Sequence, residues 1–303
     1  MPLAYNAATA SVNPQTGELV YPCYEVRIRN GCAEFRTPKP KGKPPSPRGD
    51  RKAITIFSAS SRRNLLKRFT SLSHPPNLFV TLTYPGEFPH DAAIWKRHLD
   101  AFSHRLERQF PKFWFGWRLE PQERTAPHYH LLGSLGEYVS FPLLARWVSR
   151  TWYEVVGSGD LKHLRAGTEI QFLPNMDRAQ RYLCKYLSKP QLIDLPDWVT
   201  PGRFWGFIGK KNMPASPTCH VLLPRDTYYN LRRLVRKWLG RLSPSRRSPS
   251  SARYAKRLSK MPSFFILADY RHILNLLEFT LGFSLSIETL SQSVFDFSQP
   301  APF

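Results

Sequence analysis

Two histidines and one glutamate near the middle of the chain have the residue types and spacing of a divalent-metal site. His128 and His130 flank one residue in HYHLLGSL, which has the pattern of a strand, so both imidazoles are predicted on one face of it. Glu120 lies eight residues before His128, at the end of another predicted strand, and a hairpin of that length would bring it alongside the pair. One carboxylate and two imidazoles can hold Mg²⁺ or Mn²⁺ and leave positions open for a phosphate oxygen.

A plainer interpretation of these residues stays open. Two alternating histidines also occur on half-buried sheet faces that bind no metal. Glu120 could equally be a surface carboxylate paired with Arg118 or Arg124. The metal hypothesis therefore depends on what the rest of the chain supplies.

Two tyrosines further along the chain could supply a nucleophile. Tyr182 and Tyr186 are four residues apart in a helix predicted from about 177 to 189, so they are neighbours on one helical face. Lys185 and Lys189 each follow a tyrosine by three residues. A phenol with a pKa of about 10 is a poor nucleophile at neutral pH, and a metal-bound phosphate together with a nearby lysine would activate it. The alternative is an amphipathic helix whose tyrosines pack on a sheet.

The elements that would position these residues follow from hydrophobic periodicity and turn residues. The patterns predict the order strand, helix, strand, strand, helix, strand, helix, strand. The segments are FVTLTYP, AIWKRHLDAFSHRLERQF, KFWFGWRLE, HYHLLGSL, FPLLARWVSRTWYEVV, GTEIQFLP, DRAQRYLCKYLSKP and GRFWGFIG, with a short basic helix in RRNLLKRFTSL before them. Asp177 and Gln180 are expected to cap the last helix, and Pro190 to end it. Because the order mixes long crossovers with a hairpin, it favours an α+β sandwich over a doubly wound parallel sheet.

The chain is strongly basic, with 44 Lys and Arg against 22 Asp and Glu and a formal net charge of +22. Such a surplus favours a polyanionic partner. The sequence also has 20 Phe, 13 Tyr and 8 Trp, which can stack on unpaired bases, so single-stranded nucleic acid is the favoured partner. An aromatic core beneath a basic surface would give the same composition.

Several classes of protein are disfavoured by missing motifs. No GxxxxGK[ST] occurs, so the chain carries no recognisable helicase motor. The four cysteines form no CxxC pair, which argues against a zinc ribbon or a disulfide framework. Charged residues interrupt the most apolar stretch, SFFILADYRHILNLLEFTLGF, and the first residues lack the order of a signal peptide. We therefore expect a soluble protein of the cytoplasm that binds no membrane.

Composition divides the chain into four predicted segments. Residues 1–50 are a preface in which YEVRIRNGCAEFR predicts a hairpin with a type I′ turn at its Asn-Gly pair, followed by a basic proline-rich linker. Residues 51–225 are the expected catalytic domain. Residues 226–260 combine a basic amphipathic helix with a low-complexity linker, and 261–303 are an apolar tail without a recognisable motif.

Three segments, taken in order, resemble motifs I, II and III of the HUH-superfamily rolling-circle replication initiators. They are FVTLTYP, PHYH and YLCKYLSK, and GRFWGFIGKKNMP resembles a segment that follows motif III in phage Rep proteins. The E-x7-H-x-H spacing is similar to the metal site of Rep proteins from circular single-stranded DNA viruses, and the paired tyrosines are similar to the two-tyrosine branch. The resemblance covers roughly residues 55–215, and the tyrosine between the histidines departs from the usual motif II.

The resemblance implies an HUH endonuclease fold, which is a central antiparallel sheet with flanking helices of ferredoxin or RRM type, here with a basic C-terminal extension. It implies a metal ion on Glu120, His128 and His130, and a tyrosine that attacks an origin phosphodiester. The products would be a 5′-phosphotyrosyl link and a free 3′-OH, which a host polymerase extends while a host helicase separates the strands. The second tyrosine would then attack the regenerated junction, and which tyrosine acts first is left open by the sequence.

Other functions and other DNA contacts also remain open. Arg203, Lys210 and Lys211 could contact phosphates or be ordinary solvated charges. A transposase or mobilisation relaxase of HUH type would use the same chemistry, but relaxases usually place the tyrosine before a three-histidine motif, whereas here it follows the histidines. A non-catalytic, basic single-strand-binding protein would need the charge and the aromatics but not this register of histidines and tyrosines. Metal-dependent nicking separates it from the enzymes.

Overall fold

The computed structural model describes residues 11–12, 19–20, 24–38, 54–175, 178–179, 182–187, 189–191, 195–196, 199–241, 261, 263–268, 270–282 and 294–296. They belong to two compact units, one formed by residues 47–215 and the other by residues 1–46 together with 216–303. The predicted helix cap at Asp177 and Gln180 lies outside the described residues, as does the basic linker after residue 241.

Secondary structure is distributed over both units. The strands are β1 (Ser11–Val12), β2 (Leu19–Val20), β3 (Tyr24–Arg29), β4 (Cys32–Arg36), β5 (Leu78–Thr83), β6 (Trp114–Pro121), β7 (Pro127–Ser134), β8 (Thr168–Phe172), β9 (Trp205–Ile208), β10 (Cys219–Leu223), β11 (Phe264–Leu267) and β12 (Val294–Asp296). The α-helices are α1 (Ala59–Thr70), α2 (Ala92–Gln109), α3 (Phe141–Val156), α4 (Leu161–Ala166), α5 (Arg225–Arg241) and α6 (Tyr270–Leu281). A π-helical turn spans Leu183–Leu187, and a 3₁₀ turn spans Lys210–Asn212.

The unit of residues 47–215 is built on a five-stranded sheet in the order β8-β5-β7-β6-β9. Every neighbouring pair in it is antiparallel. The predicted order of strands and helices is confirmed except at the helix expected from about 177 to 189, and the short helix α4 is an addition. The predicted α+β class is confirmed as well, because antiparallel sheets are flanked by helices, an arrangement consistent with an HUH or RRM-like fold.

One face of this sheet is apolar and packs on helices. Side chains alternate along β5, so Val80 and Leu82 point to the same face as their cross-strand neighbours on β7. Tyr129, opposite Leu82, is fully buried there and donates a hydrogen bond of 3.1 Å to the carbonyl oxygen of Trp95 in α2. The indole of Trp152 in α3 donates one of 2.8 Å to the carbonyl oxygen of Thr83. These bonds fix α2 against β7, which carries the histidines, and α3 against the neighbouring strand β5.

The opposite face is apolar only at one end. There the ring of Phe69 in α1 lies 5.3 Å from the ring of Phe207 in β9. The two rings fit above β6 because residue 116 is glycine, and a Cβ at this position would lie 2.4 Å from the Phe69 ring. Arg118 and Glu120 follow Gly116 on the same face because strand side chains alternate. This face therefore passes from aromatic packing to a cluster of polar side chains.

The helix predicted from about 177 to 189 is not a regular α-helix where the structure describes it. Residues Leu183–Leu187 form a π-helical turn, and among the described residues of this segment 178–179 and 182 have α-helical geometry. Helical periodicity predicts which residues share a face, but it does not distinguish an α-turn from a π-turn. Such wide turns often occur at functional sites.

The second unit joins segments from the two ends of the chain in a sheet of order β11-β4-β3-β10-β12. Helices α5 and α6 bury Tyr228, Leu231, Ile273 and Leu277 against it. Pairing between strands that are distant in sequence leaves no local signal, and the predicted division at residues 50, 225 and 260 stays a prediction. In the described part of the chain, no helix combines the length and apolarity needed to cross a membrane.

The predicted N-terminal hairpin is confirmed as β3 and β4, in which Arg29 pairs with Cys32. The predicted type I′ turn is wrong, because neither Asn30 nor Gly31 has the positive φ that this turn requires. Strands β10 and β11 flank the hairpin on its two sides. Its register is therefore held by neighbouring strands and does not depend on the turn alone.

Candidate active site

Glu120, His128 and His130 meet on the polar end of the sheet. The histidines lie on β7, the middle strand of five, and Glu120 lies on the adjacent β6 directly opposite His128. The Nε2 atom of His130 is 3.0 Å from Oε2 of Glu120, and the two imidazole rings are 4.5 Å apart. The predicted hairpin is therefore present, and its register brings the three side chains together.

The protonation states of this cluster follow from burial and from hydrogen bonding. Burial lowers the pKa of His128 to about 3, and it also lowers the pKa of His130 against the opposing effect of the Glu120 carboxylate. Burial alone would raise the pKa of Glu120, but hydrogen bonds from His130 and Lys189 and the charge of Arg118 hold it at about 2. At neutral pH the cluster therefore presents two neutral imidazoles and one ionised carboxylate, the forms that bind metal ions.

Two threonines of β5 contact the Nδ1 atoms of the two imidazole rings. Thr83 Oγ1 lies 3.0 Å from Nδ1 of His128, and Thr81 Oγ1 lies 3.5 Å from Nδ1 of His130. Each threonine is the cross-strand partner of its histidine. If the Thr83 hydroxyl accepts the Nδ1 proton of His128, the lone pair of its Nε2 is left for a metal ion. Nε2 of His130 instead donates to the Glu120 carboxylate in this structure. The alternation of FVTLTYP showed that the threonines share a face, but only the register shows that this face holds the histidines.

Thr83→Val is expected to weaken metal binding roughly 10–100-fold, since it removes the group that fixes the ring of His128 and its tautomer. The measurement is a Mn²⁺ titration of the full-length protein. Thr81→Val is the matched control, with a smaller effect expected because its contact with His130 is longer. Equal Mn²⁺ affinities for wild-type protein and Thr83→Val would contradict the assigned role.

Glu120, His128 and His130 provide ligand types that can bind Mg²⁺ or Mn²⁺. In this structure, however, the three side chains are not spaced to coordinate one ion. Among the described residues, no group of three His, Cys, Asp or Glu side chains has the spacing to hold a metal as it stands. The cause is visible in the cluster, where the Glu120 carboxylate is hydrogen-bonded to His130 and paired with Lys189 at 2.7 Å. Metal binding by these residues requires those two contacts to open.

The two tyrosines lie on the same face of the sheet as the histidines but differ in their surroundings. The Tyr186 ring lies 5.1 Å from the ring of His130, and Tyr186 lines an open cleft of about 600 Å³. The cleft is also lined by Glu120, Pro121, Gln122, Glu123, Arg124, His128, His130 and Lys189. Tyr182 is not part of this lining, and its hydroxyl donates to the side-chain oxygen of Gln171 on the edge strand β8. The structure thus separates two residues that the sequence left equivalent.

The two lysines also contact different groups. Lys185 is exposed, and its Nζ atom lies 4.8 Å from the centre of the Tyr186 ring. A hydrogen bond with Tyr186 raises the pKa of Lys185. Lys189 is half-buried and pairs with Glu120. Tyr186 is therefore contacted by Lys185, the residue before it in the sequence. The tyrosine–lysine spacing of three residues predicts Lys189 instead.

Arg118 is a site residue that sequence reasoning considered only as a surface partner of Glu120. Its guanidinium is fully buried and lies 4.7 Å from the centre of the Phe57 ring. Its Nη1 atom donates a 2.6 Å hydrogen bond to the carbonyl oxygen of Tyr186, and its Nη2 atom is 4.0 Å from Glu120. Arg118 therefore joins the strand of Glu120 to the π-helical turn of Tyr186. The sequence does carry one indication of this role. Arg118 lies two residues before Glu120 and therefore on the same face of the strand.

The three predicted phosphate contacts lie elsewhere in this unit and do not line the cleft. Lys210 and Lys211 are in the 3₁₀ turn after β9, where Lys211 pairs with Glu107 of α2 at 2.7 Å. Arg203 is exposed, and its carbonyl oxygen accepts a hydrogen bond from Lys96. The pairing of Lys211 favours the interpretation as a solvated surface charge for that residue.

The part of the chain that is similar to known replication-associated proteins contains this site. Residues 77–191 match the family model described as replication-associated protein ORF2/G2P. The chain is 27% identical over 233 residues to the replication-associated protein G2P of Pseudomonas phage Pf3, an alignment that covers 71% of this chain and 80% of that protein. No solved structure matches the chain significantly. The region matched by the family model includes every residue that lines the cleft.

Proposed function

We propose that this chain initiates rolling-circle replication by nicking single-stranded DNA with Tyr186 as the nucleophile. One observation carries the proposal: Tyr186 lies in the same cleft as Glu120, His128 and His130. A phenol beside two neutral imidazoles and an ionised carboxylate is suited to phosphodiester cleavage with a divalent ion. The similarity to replication-associated proteins, including that of a phage, supports a replication initiator.

In the proposed reaction, Glu120, His128 and His130 hold Mg²⁺ or Mn²⁺. A divalent ion bound there would supply Lewis-acid chemistry, withdrawing negative charge from the scissile phosphate. The Tyr186 oxygen loses its proton and bonds to phosphorus, while the bond from phosphorus to the 3′ oxygen breaks and that oxygen gains a proton. One strand end becomes a 5′-phosphotyrosyl ester and the other a free 3′-OH. The ammonium of Lys185, beside the Tyr186 ring, stabilises the phenolate.

Arg118, whose guanidinium packs on the Phe57 ring, holds the nucleophile in place during this step. The carbonyl oxygen of Tyr186 is fixed by a buried guanidinium, which limits the movement of the π-helical turn relative to β6. A fixed nucleophile lowers the barrier because less freedom is lost when the substrate reacts.

Tyr182 is the candidate for the second attack of a replication cycle. Its ring lies 5.4 Å from that of Tyr186, so the two phenols are close enough to act on one junction in turn. Its hydroxyl must first leave Gln171. A host polymerase and helicase would extend the 3′-OH and separate the strands, since the sequence has no nucleotide-binding loop of its own.

The test is incubation of the full-length protein with labelled single strands from its own replicon in Mg²⁺ or Mn²⁺. A covalent adduct should form that contains the DNA segment on the 3′ side of the nick, and the released fragment should be extended by a polymerase. Chelation of the metal should stop both. Strands that bind without yielding an adduct under any metal condition would instead identify a non-catalytic single-strand-binding protein.

A further inference from the structure

Helix α5 has two sharply different faces. Its inner face buries Tyr228, Leu231 and Val235 completely in the core of the second unit. One cation of this helix, Arg232, stabilises the fold. Its Nη2 atom donates a 2.6 Å hydrogen bond to the carbonyl oxygen of Met261, and its guanidinium lies 5.0 Å from the ring centre of Phe264. The helix is thereby fixed on its sheet and has little freedom to rotate.

The outer face of α5 is basic. Arg233, Arg236 and Lys237 are exposed, and none of them forms an ion pair with a carboxylate in the described parts of the chain. Asp226, in the first turn, is the only acidic residue of the helix. The side-chain oxygen of Asn230 accepts a hydrogen bond from Arg233. Between residues 227 and 241 the helix itself therefore carries basic residues and no acidic residue.

We propose that the basic face formed by Asn230, Arg233, Arg236 and Lys237 binds double-stranded DNA. An α-helix with its side chains is about 10–12 Å wide, which matches the roughly 12 Å major groove, and 17 residues give a rod of about 25 Å. Arginine and lysine bind phosphates or guanine edges, and asparagine can pair with adenine. The binding goes beyond the nicking reaction and does not depend on it, because it involves a different unit of the chain.

Duplex DNA fits this face better than a single strand does. Proteins that bind single strands combine a basic groove with exposed aromatic rings that stack on the bases. The outer face of α5 offers one exposed aromatic residue, Tyr229, which is 40% exposed. A regular, rigid row of cations instead matches the regular phosphates of a duplex.

The test compares Arg233→Gln/Arg236→Gln/Lys237→Gln with wild type in full-length protein. Glutamine keeps the helix propensity while removing three charges. Binding to a fluorescent origin duplex, measured by anisotropy at several salt concentrations, should weaken roughly 5–150-fold near 0.15 M salt if one to three phosphates are no longer neutralised. The slope of log affinity against log salt should become shallower by about 0.9 for each such phosphate.

The matched control is Arg146→Gln/Lys162→Gln/Arg165→Gln, which removes three exposed cations from the other unit. It should change duplex binding much less. Equal losses for the two triple variants would show a general charge effect and overturn the proposal, as would an unchanged affinity of the α5 variant. If the triple variant melts at a lower temperature, Arg236→Gln/Lys237→Gln retains the bond from Arg233 to Asn230 and is compared instead.

A second experiment, with single-stranded DNA, distinguishes this inference from the proposed nicking. The α5 variant should bind and cleave short single-stranded oligonucleotides as wild type does. A loss of single-strand binding as large as the duplex loss would overturn the assignment to duplex DNA. If wild type forms no adduct but the duplex effect holds, the proposed function fails while the inference about α5 stands.

Discussion

Tyr186→Phe is expected to abolish the covalent protein–DNA adduct, a loss of at least about 10³-fold. The substitution removes one oxygen atom and leaves the ring packed against Phe79 and His130. It should therefore preserve folding and DNA binding while removing the nucleophile. The measurement is adduct formation on a labelled single-stranded origin oligonucleotide, resolved on a denaturing gel.

Tyr182→Phe is the matched control, because its hydroxyl is directed toward Gln171 and not into the cleft. It should still form the first adduct but should not complete circles from a supercoiled plasmid that carries the origin. If instead Tyr186→Phe forms adducts and Tyr182→Phe does not, the assignment of the two tyrosines is reversed. Adducts from the double variant would place the nucleophile elsewhere.

His128→Ala is expected to reduce nicking by about 10³-fold or more, equivalent to about 4 kcal/mol of transition-state stabilisation. The variant removes one of the three proposed metal ligands, and the basic surfaces that hold DNA by charge are unchanged. Mn²⁺ affinity should fall together with activity, whereas the affinity for single-stranded DNA should stay near that of wild type. Excess chelator should have the same effect on the wild-type protein.

His104→Ala is a suitable control for that experiment, since His104 is an exposed histidine of α2 outside the cleft. It should nick and bind Mn²⁺ as wild type does. Undiminished cleavage by His128→Ala, or full wild-type activity in excess chelator, would rule out the metal assignment. A parallel loss of DNA binding would indicate that His128 supports the fold and not the chemistry.

Local patterns in the sequence predicted most of the sheet that carries the site. The alternation in FVTLTYP and HYHLLGSL fixed which side chains share a face, because successive strand residues point to opposite sides. The length of the loop after Glu120 then placed that residue beside His128, and the register agrees. These inferences succeeded because each depends on neighbours within about ten residues.

The features that separate the two tyrosines depend on interactions that no local pattern encodes. The bond from Tyr182 to Gln171 and the link from Arg118 to Tyr186 join residues from different strands and turns. The π-helical turn at Leu183–Leu187 has the same apolar spacing as a short α-helix. Periodicity could therefore identify a tyrosine-bearing helix, but not which phenol reaches the cleft.

The pairing of β3 with β10 has a consequence for how the chain folds. Val26 lies opposite Val221, so this sheet closes only after almost two hundred intervening residues have been synthesised. All five strands of the unit of residues 47–215 are available earlier, so that unit can fold while the C-terminal segments are still being made. Closing so long a loop slows the pairing of β3, and the hairpin has exposed edges until then. The order of synthesis therefore favours completion of the unit of residues 47–215 first.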